Sequence, residues 1–255
     1  MEFPAPGTGG PPVPPVGPWQ PARVVAVHPE TARAHTLRLE LSTPVAHLAG
    51  QHVVIRLTAP DGYRASRSYS IGSAPPLPPG TTAGTVDVTV ERLDHGEVST
   101  YLVDGVEVGD EVEVRGPIGG YFVWRGDEPA VLVAGGSGLV PLMAMLRLAR
   151  ATGRSDLVRL VVSVRTPADL LYAGELPGPE ATVVHTRVAP PGGRPAGRLT
   201  ADDLAPALVP GATAFVCGSS GFADAATELL TGLGVPTERI RVERFGPTGE
   251  LMTPG

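Results

Sequence analysis

The sequence contains no lysine: all 20 of its basic residues are arginine. Where both cations are in use, an arginine suggests bidentate recognition of carboxylate or phosphate. Here there is no alternative cation, so each arginine has to be judged by its position. Cysteine is almost as scarce. With Cys217 as the single thiol, an internal disulfide is excluded, as is any zinc or iron–sulfur centre that needs several thiolates. No basic residue precedes Arg23 and no apolar run is long enough to cross a bilayer. These absences argue against a signal peptide or membrane span and point to the cytoplasm. A net charge of −6 offers no electrostatic footprint for nucleic acid. The six histidines are scattered without metal-ligand spacing, no H-E-x-x-H or G-x-S-x-G occurs, and no metal is expected.

What is present fits a globular chain of two domains. The 255 residues suffice for two cores, and 42% hydrophobic with 18% charged residues is an ordinary soluble composition. Residues 1–18 form a Pro/Gly-rich segment expected to be a flexible arm. From 19 to 124 the texture is that of short strands at 23–27, 36–41, 53–57, 86–90 and 111–114, with a short helix at 98–103. Gly and Pro clusters separate them, which predicts an antiparallel β-barrel. From 128 to 247 continuous apolar runs at 130–134, 157–162, 181–185, 214–216 and 240–242 alternate with helical stretches, notably 139–149 and 222–233. Strands buried on both faces and separated by helices predict a parallel α/β sheet. A tail follows at 248–255.

Val131-Leu132-Val133-Ala134-Gly135-Gly136-Ser137-Gly138-Leu139-Val140-Pro141 reads as strand, glycine turn and helix. Glycines let backbone approach a pyrophosphate, and the helix N-terminus offers unpaired N–H groups. The match to G-x-G-x-x-G is incomplete, because Pro141 stands where the third glycine would be, and the Gly-Lys-Ser/Thr ending of a P-loop is missing. Asp156 lies at the distance of a ribose-binding acid but precedes the second strand instead of ending it.

The more specific signal lies upstream. Arg67-Ser68-Tyr69-Ser70 matches an R-x-Y-S/T pattern, preceded by Gly50-Gln51-His52. Gly96-Glu97-Val98-Ser99, Gly116-Pro117-Ile118-Gly119, the glycine turn, Val216-Cys217-Gly218 and Glu243-Arg244-Phe245-Gly246 follow in order. This series resembles the ferredoxin–NADP reductase superfamily over about residues 20–247. The resemblance implies an FAD-binding barrel, a C-terminal NAD(P)-binding domain, and hydride transfer from NADPH or NADH to FAD at their interface.

Residue by residue, the resemblance assigns Arg67 and its neighbour Ser68 to the FAD pyrophosphate side, Tyr69 to the isoalloxazine face, and Ser70 to the flavin N5. Gly96, Val98 and Ser99 would take the FAD diphosphate, with Ser99 also a possible helix cap, while Thr89 and Val90 would touch the cofactor through backbone. Gly135, Gly136 and Gly138 would cradle the nucleotide diphosphate. Cys217, followed by Gly218, would stand beside the nicotinamide, and Phe245 would pack near the opposite flavin face. Thr186 and Arg187 resemble the pair that holds the 2′-phosphate in NADP-specific relatives, with Arg165 and Arg198 as further candidates.

Three departures bear on rate and nucleotide affinity: Val140 where threonine is common, Ser219 where proline is usual, and His95 where a second glycine is frequent. With a single cysteine in these 255 residues, the plant-type [2Fe–2S] domain that many relatives fuse to this module is not expected. Electrons are therefore expected to leave for a separate partner: a ferredoxin, an oxygenase component or a molybdenum-dependent oxidoreductase. Two alternatives stay open, a flavin reductase or diaphorase acting on small acceptors, and a non-catalytic nucleotide-sensing module.

Overall fold

A computed structural model describes residues 16–176 and 178–245. Most of the expected N-terminal arm, Gly246 and Pro247, and the tail at 248–255 lie outside the described residues.

Six strands build the first half: β1 (Gln20–Thr31), β2 (Ala34–Val45), β3 (His52–Thr58), β4 (Arg64–Ser70), β5 (Ala83–Glu91) and β6 (Glu111–Ile118). They pair antiparallel in the order β4-β3-β6-β1-β2-β5, and a bridge between Ile71 and Val88 joins the two edges, as the expected barrel requires. Alternation explains the wall: Val53 and Ile55 of β3 are buried and point inward with Val24, Leu37, Leu39, Val86 and Val88, while the residues between them are more exposed. A short helix, α1 (Glu97–Thr100), runs into a π-helical turn at Tyr101–Gly105 and inserts Val98, Leu102 and Val103 into the same core.

The second half is a parallel sheet in the order β11-β10-β7-β8-β9, made by β7 (Ala130–Gly135), β8 (Val158–Val164), β9 (Ala181–His185), β10 (Thr213–Ser219) and β11 (Ile240–Phe245). α3 (Ala201–Leu204) and α4 (Ser220–Gly232) cover one face with a core of Val131, Val133, Val216, Ala223 and Leu230. α2 (Leu139–Ala151) covers the other. Its sequence LVPLMAMLRLARA is apolar nearly all round, because the sheet buries one side and the barrel the other. Ala49, Phe122 and Trp124 from the barrel side join Leu142, Met145 and Leu146 of α2 in one continuous core. The expected antiparallel-then-parallel architecture is the one observed.

At the junction, Trp124 is buried and donates its indole N–H to the Glu128 carbonyl at 2.8 Å. Gln51 is also wholly buried: its amide donates to the Gly119 carbonyl at 2.7 Å and its side-chain oxygen accepts from the Leu48 N–H at 2.8 Å. The Gly50-Gln51-His52 motif thus fastens the end of β6 to the loop before β3.

Candidate active site

β4 carries Arg67, Ser68, Tyr69 and Ser70 on an edge of the barrel sheet. Tyr69 packs its ring partly against the barrel core, and burial raises its phenol above the ordinary value. Arg67 is exposed and donates only to the Ser66 carbonyl, at 2.7 Å; among the described residues it has no acidic partner. Ser70 is buried, and its hydroxyl has no hydrogen-bond partner among the described residues. Orphaned buried hydroxyls are uncommon, and this one is open to a partner from outside the chain, a water or a bound group.

In the α1 segment the structure removes one of the two roles open to Ser99, that of a helix cap. Gly96 is the N-cap, and Ser99 stands three residues on, inside the helix. Its buried hydroxyl accepts from the Leu93 N–H and donates to the Gly96 carbonyl, both at 3.2 Å, so it fastens the loop before the helix and does not cap the helix. Val98 and Val90 are core side chains of the barrel. The Thr89 hydroxyl is held by Thr36 at 2.7 Å and by Tyr172 of the second domain at 2.5 Å.

In the parallel sheet, Gly135, Gly136, Gly138, Cys217 and Gly218 gather at the carboxyl ends of the adjacent strands β7 and β10, where open α/β sheets bind ligands. Packing within the protein already requires some of these glycines. A Cβ on Gly138 would lie 2.1 Å from the Cys217 carbonyl oxygen, and one on Gly135 or Gly218 would meet the Phe222 ring at 2.6 or 2.7 Å. α2 runs on from a 3₁₀ turn at Gly136–Gly138, in which the Gly136 and Ser137 carbonyls accept the Leu139 N–H. No side chain caps the start of either, so the uncapped N–H groups here are those of the glycine turn itself.

Cys217 is wholly buried, and desolvation followed by the nearby Glu243 carboxylate raises its thiol well above the ordinary value. Glu243 is its register partner on β11. Burial pushes that carboxyl up to about 7, and one of its oxygens is buried without a partner among the described residues. Phe245, at the end of β11, packs against the same core as Cys217. Glu243 was quoted above only as part of a motif; its signal is the strand alternation that places it on the face shared by Cys217 and Phe245.

Arg165, Thr186, Arg187 and Arg198 lie on the β8–β9 side. The Arg187 N–H donates to the Arg165 carbonyl at 2.9 Å and the Thr186 N–H to Val164 at 2.8 Å, so two of the arginines are held side by side. The guanidiniums of Arg165, Arg187 and Arg198 are exposed and form no ion pair among the described residues, whereas Arg194 is bound to Asp203. From β9 to β10 the sheet crosses three strand spacings, about 14 Å. The arginines and the Cys217–Gly218 turn thus lie three strands apart along one sheet edge. Asp156 lies before β8, away from this edge.

The family described as an oxidoreductase FAD-binding domain matches residues 21–123, the barrel half. NADH oxidoreductase HCR of Escherichia coli (strain K12) is 30% identical over 243 residues, covering 93% of this chain and 71% of its own length. The chain belongs to the ferredoxin–NADP reductase superfamily. Another member, the reductase component of propane 2-monooxygenase from Rhodococcus jostii (strain RHA1), is 30% identical over 242 residues, which is 88% of this chain. The chain spans only 62% of that relative's length. Among solved structures of the superfamily, the flavohem-like FAD/NAD-binding domain of nitric oxide dioxygenase from Vibrio cholerae superposes with a TM-score of 0.78 at 25% identity, covering 89% of this chain and 99% of that one.

Proposed function

We propose that this protein is an FAD-dependent reductase that takes electrons from NADPH and delivers them to a separate redox protein, such as a ferredoxin or an oxygenase component. One observation carries the reading: Ser70 presents a buried, unpartnered hydroxyl on the strand that also carries Tyr69 and the acid-free Arg67. Those three groups supply what FAD requires, namely a hydrogen-bond donor for a ring nitrogen, an aromatic face and a cation for the pyrophosphate. The residues therefore fit the cofactor that the superfamily implies.

When bound, FAD supplies the conversion of a two-electron hydride donor into single-electron delivery. The chain's own residues do the rest. Arg67 and the backbone around Gly96 hold the pyrophosphate, Tyr69 lies against the ring, and Ser70 donates to its central nitrogen. Gly135, Gly136 and Gly138 would hold the nucleotide diphosphate through the N–H groups of the turn that leads into α2. Cys217, uncharged because of its burial, gives the nicotinamide a compact apolar wall, and Phe245 closes the opposite side. Arg165, Arg187 and Arg198, without acidic partners among the described residues, favour NADPH over NADH. The same reading puts the protein in the cytoplasm, where reduced nicotinamide nucleotides are regenerated. The domains are proposed to run from 19 to 124 for FAD and from 128 to 247 for the nucleotide.

An anaerobic titration of the purified, FAD-loaded protein with NADPH and with NADH tests the proposal. The flavin absorbance should bleach stoichiometrically and faster with NADPH. A protein that takes up no FAD, or that holds FAD and never bleaches, would overturn it. Bleached protein that returns electrons to free flavin but to no redox protein would be a diaphorase instead.

A further inference from the structure

The proposed reaction needs two domains held in register, and one set of contacts at their boundary is built from directional bonds. Gly72 follows Ser70 by two residues. Its carbonyl accepts a hydrogen bond from Arg147 of α2 at 2.6 Å, and its Cα faces Tyr172, since a Cβ there would lie 2.9 Å from the Tyr172 hydroxyl. The Arg147 guanidinium stacks over the Tyr172 ring at 4.6 Å and pairs with Glu175. Tyr172 then reaches into the barrel. Its hydroxyl bonds Thr89 at 2.5 Å, Thr89 bonds Thr36 at 2.7 Å, and Thr36 donates to the Glu30 carboxylate at 2.7 Å.

The carboxylate sets the direction of that chain. Because Thr36 gives its only proton to Glu30, Thr89 donates to Thr36, and Tyr172 donates to Thr89. The other oxygen of Glu30 accepts the backbone N–H of Tyr172 at 2.9 Å, which closes a ring running from Tyr172 back to Tyr172. Tyr172 itself sits at φ +55, in the left-handed region that a bulky residue occupies only when its surroundings impose it. Burial raises its phenol above the ordinary value, so it remains a donor across the neutral range.

We infer that Tyr172 and Arg147 are positioning residues: they latch the nucleotide-binding domain to the barrel at Gly72 and Thr89, and so fix the glycine turn and Cys217 relative to Ser70. The inference rests on the proposed function for what is being positioned. The apolar junction around Ala49, Trp124 and Met145 cannot do this alone, because hydrophobic contact is non-directional and tolerates sliding. The latch has leverage. Arg147 lies nine residues along α2 from Gly138, about 13 Å at the helical rise. A tilt of about 4° at the latch moves the glycine turn by about 1 Å, a misplacement that can cost about a hundredfold in rate.

Tyr172→Phe keeps the ring and its stacking and removes the donor. Stopped-flow bleaching by NADPH should show a saturating rate at least tenfold lower, with FAD content and the NADPH dissociation constant within twofold of wild type. Hydrogen exchange, measured without nucleotide or turnover, should accelerate at least tenfold at the Gly72 amide, which donates to the Asp87 carbonyl across the latched corner. Thr36→Val breaks the same ring from the barrel side and should behave alike if Tyr172→Phe folds poorly. Tyr172→Phe combined with Arg147→Met should be no slower than the slower single variant, since both act through one latch. Unchanged Gly72 exchange in a folded variant overturns the latch. Faster exchange with an unchanged saturating rate overturns its positioning role. If the wild type binds FAD and does not bleach, the functional reading fails, and the exchange result still decides the latch.

Discussion

Cys217 and Glu243 stand opposite each other on the parallel strands β10 and β11, a wholly buried thiol beside a half-buried carboxyl. Neither is comfortable as an anion there: burial raises both, and each proton lost would make the other's loss harder. The pair keeps this part of the site uncharged in acid solution, and Glu243, at about 7, is the member that ionises across the neutral range.

Glu243 should therefore make stability depend on pH. Its carboxyl titrates near about 7 in the fold against 4.5 ordinarily, so the folded chain holds the proton more tightly than the unfolded one. The resulting stabilisation is complete below about 4.5 and is lost as pH rises through about 7, with a ceiling of about 3 kcal/mol. Between about pH 6 and 8.5, flavin-free protein should lose about 1 kcal/mol more than Glu243→Gln in urea denaturation. Parallel profiles for the two proteins would remove Glu243 as the titrating group.

Ser70→Ala should pull stability and activity in opposite directions. The hydroxyl is buried without a partner, and leaving such a group unsatisfied costs about 1–3 kcal/mol. Flavin-free Ser70→Ala should accordingly be more stable than wild type by about 1 kcal/mol. With FAD bound, its bleaching by NADPH should be slower. A destabilised flavin-free variant would mean that the hydroxyl already has work in the empty fold.

Two neighbouring glycines should differ in what they tolerate. A Cβ at Gly138 meets the Cys217 backbone at 2.1 Å, whereas one at Gly136 meets nothing within 4 Å and faces only the strain of φ +56. Gly136→Ala is expected to cost about 1 kcal/mol and Gly138→Ala at least about 3. Thermal unfolding of the two variants checks the order, and equal losses would contradict the close approach.

Arg187→Ala should raise KM for NADPH about tenfold or more, the loss of one charge-assisted phosphate contact, and leave KM for NADH within about twofold. Steady-state kinetics with both nucleotides decides it. An equal effect on both would place Arg187 outside the 2′-phosphate site.

Strong periodicity made most of the fold legible. The buried runs of β7, β8 and β10 and the apolar helix α2 lie where the pattern put them, with β10 extended from 214–216 to Thr213–Ser219. β1 and β2 extend further, to Gln20–Thr31 and Ala34–Val45, because their ends are polar and bulged and carry no alternation. β4 is the instructive case. RASRSYS has no hydrophobic run, since it is an edge strand, so it is missing from the expected strands although its motif marks the residues. The local motifs placed Ser70, Cys217 and the glycine turn on the page. The Glu243–Cys217 pairing and the Tyr172–Thr89 bond could not be read, because they depend on which strands become neighbours and join residues 26 and 83 positions apart.

The solitary thiol has a practical consequence. Because Cys217 is wholly buried and is the only sulfhydryl in the chain, a thiol-reactive dye can label the protein only while β10 is transiently uncovered. The labelling rate then becomes a clock for that opening, readable at a single known atom in the unmodified protein. Bound nucleotide should slow the clock, and breaking the Tyr172 ring should speed it.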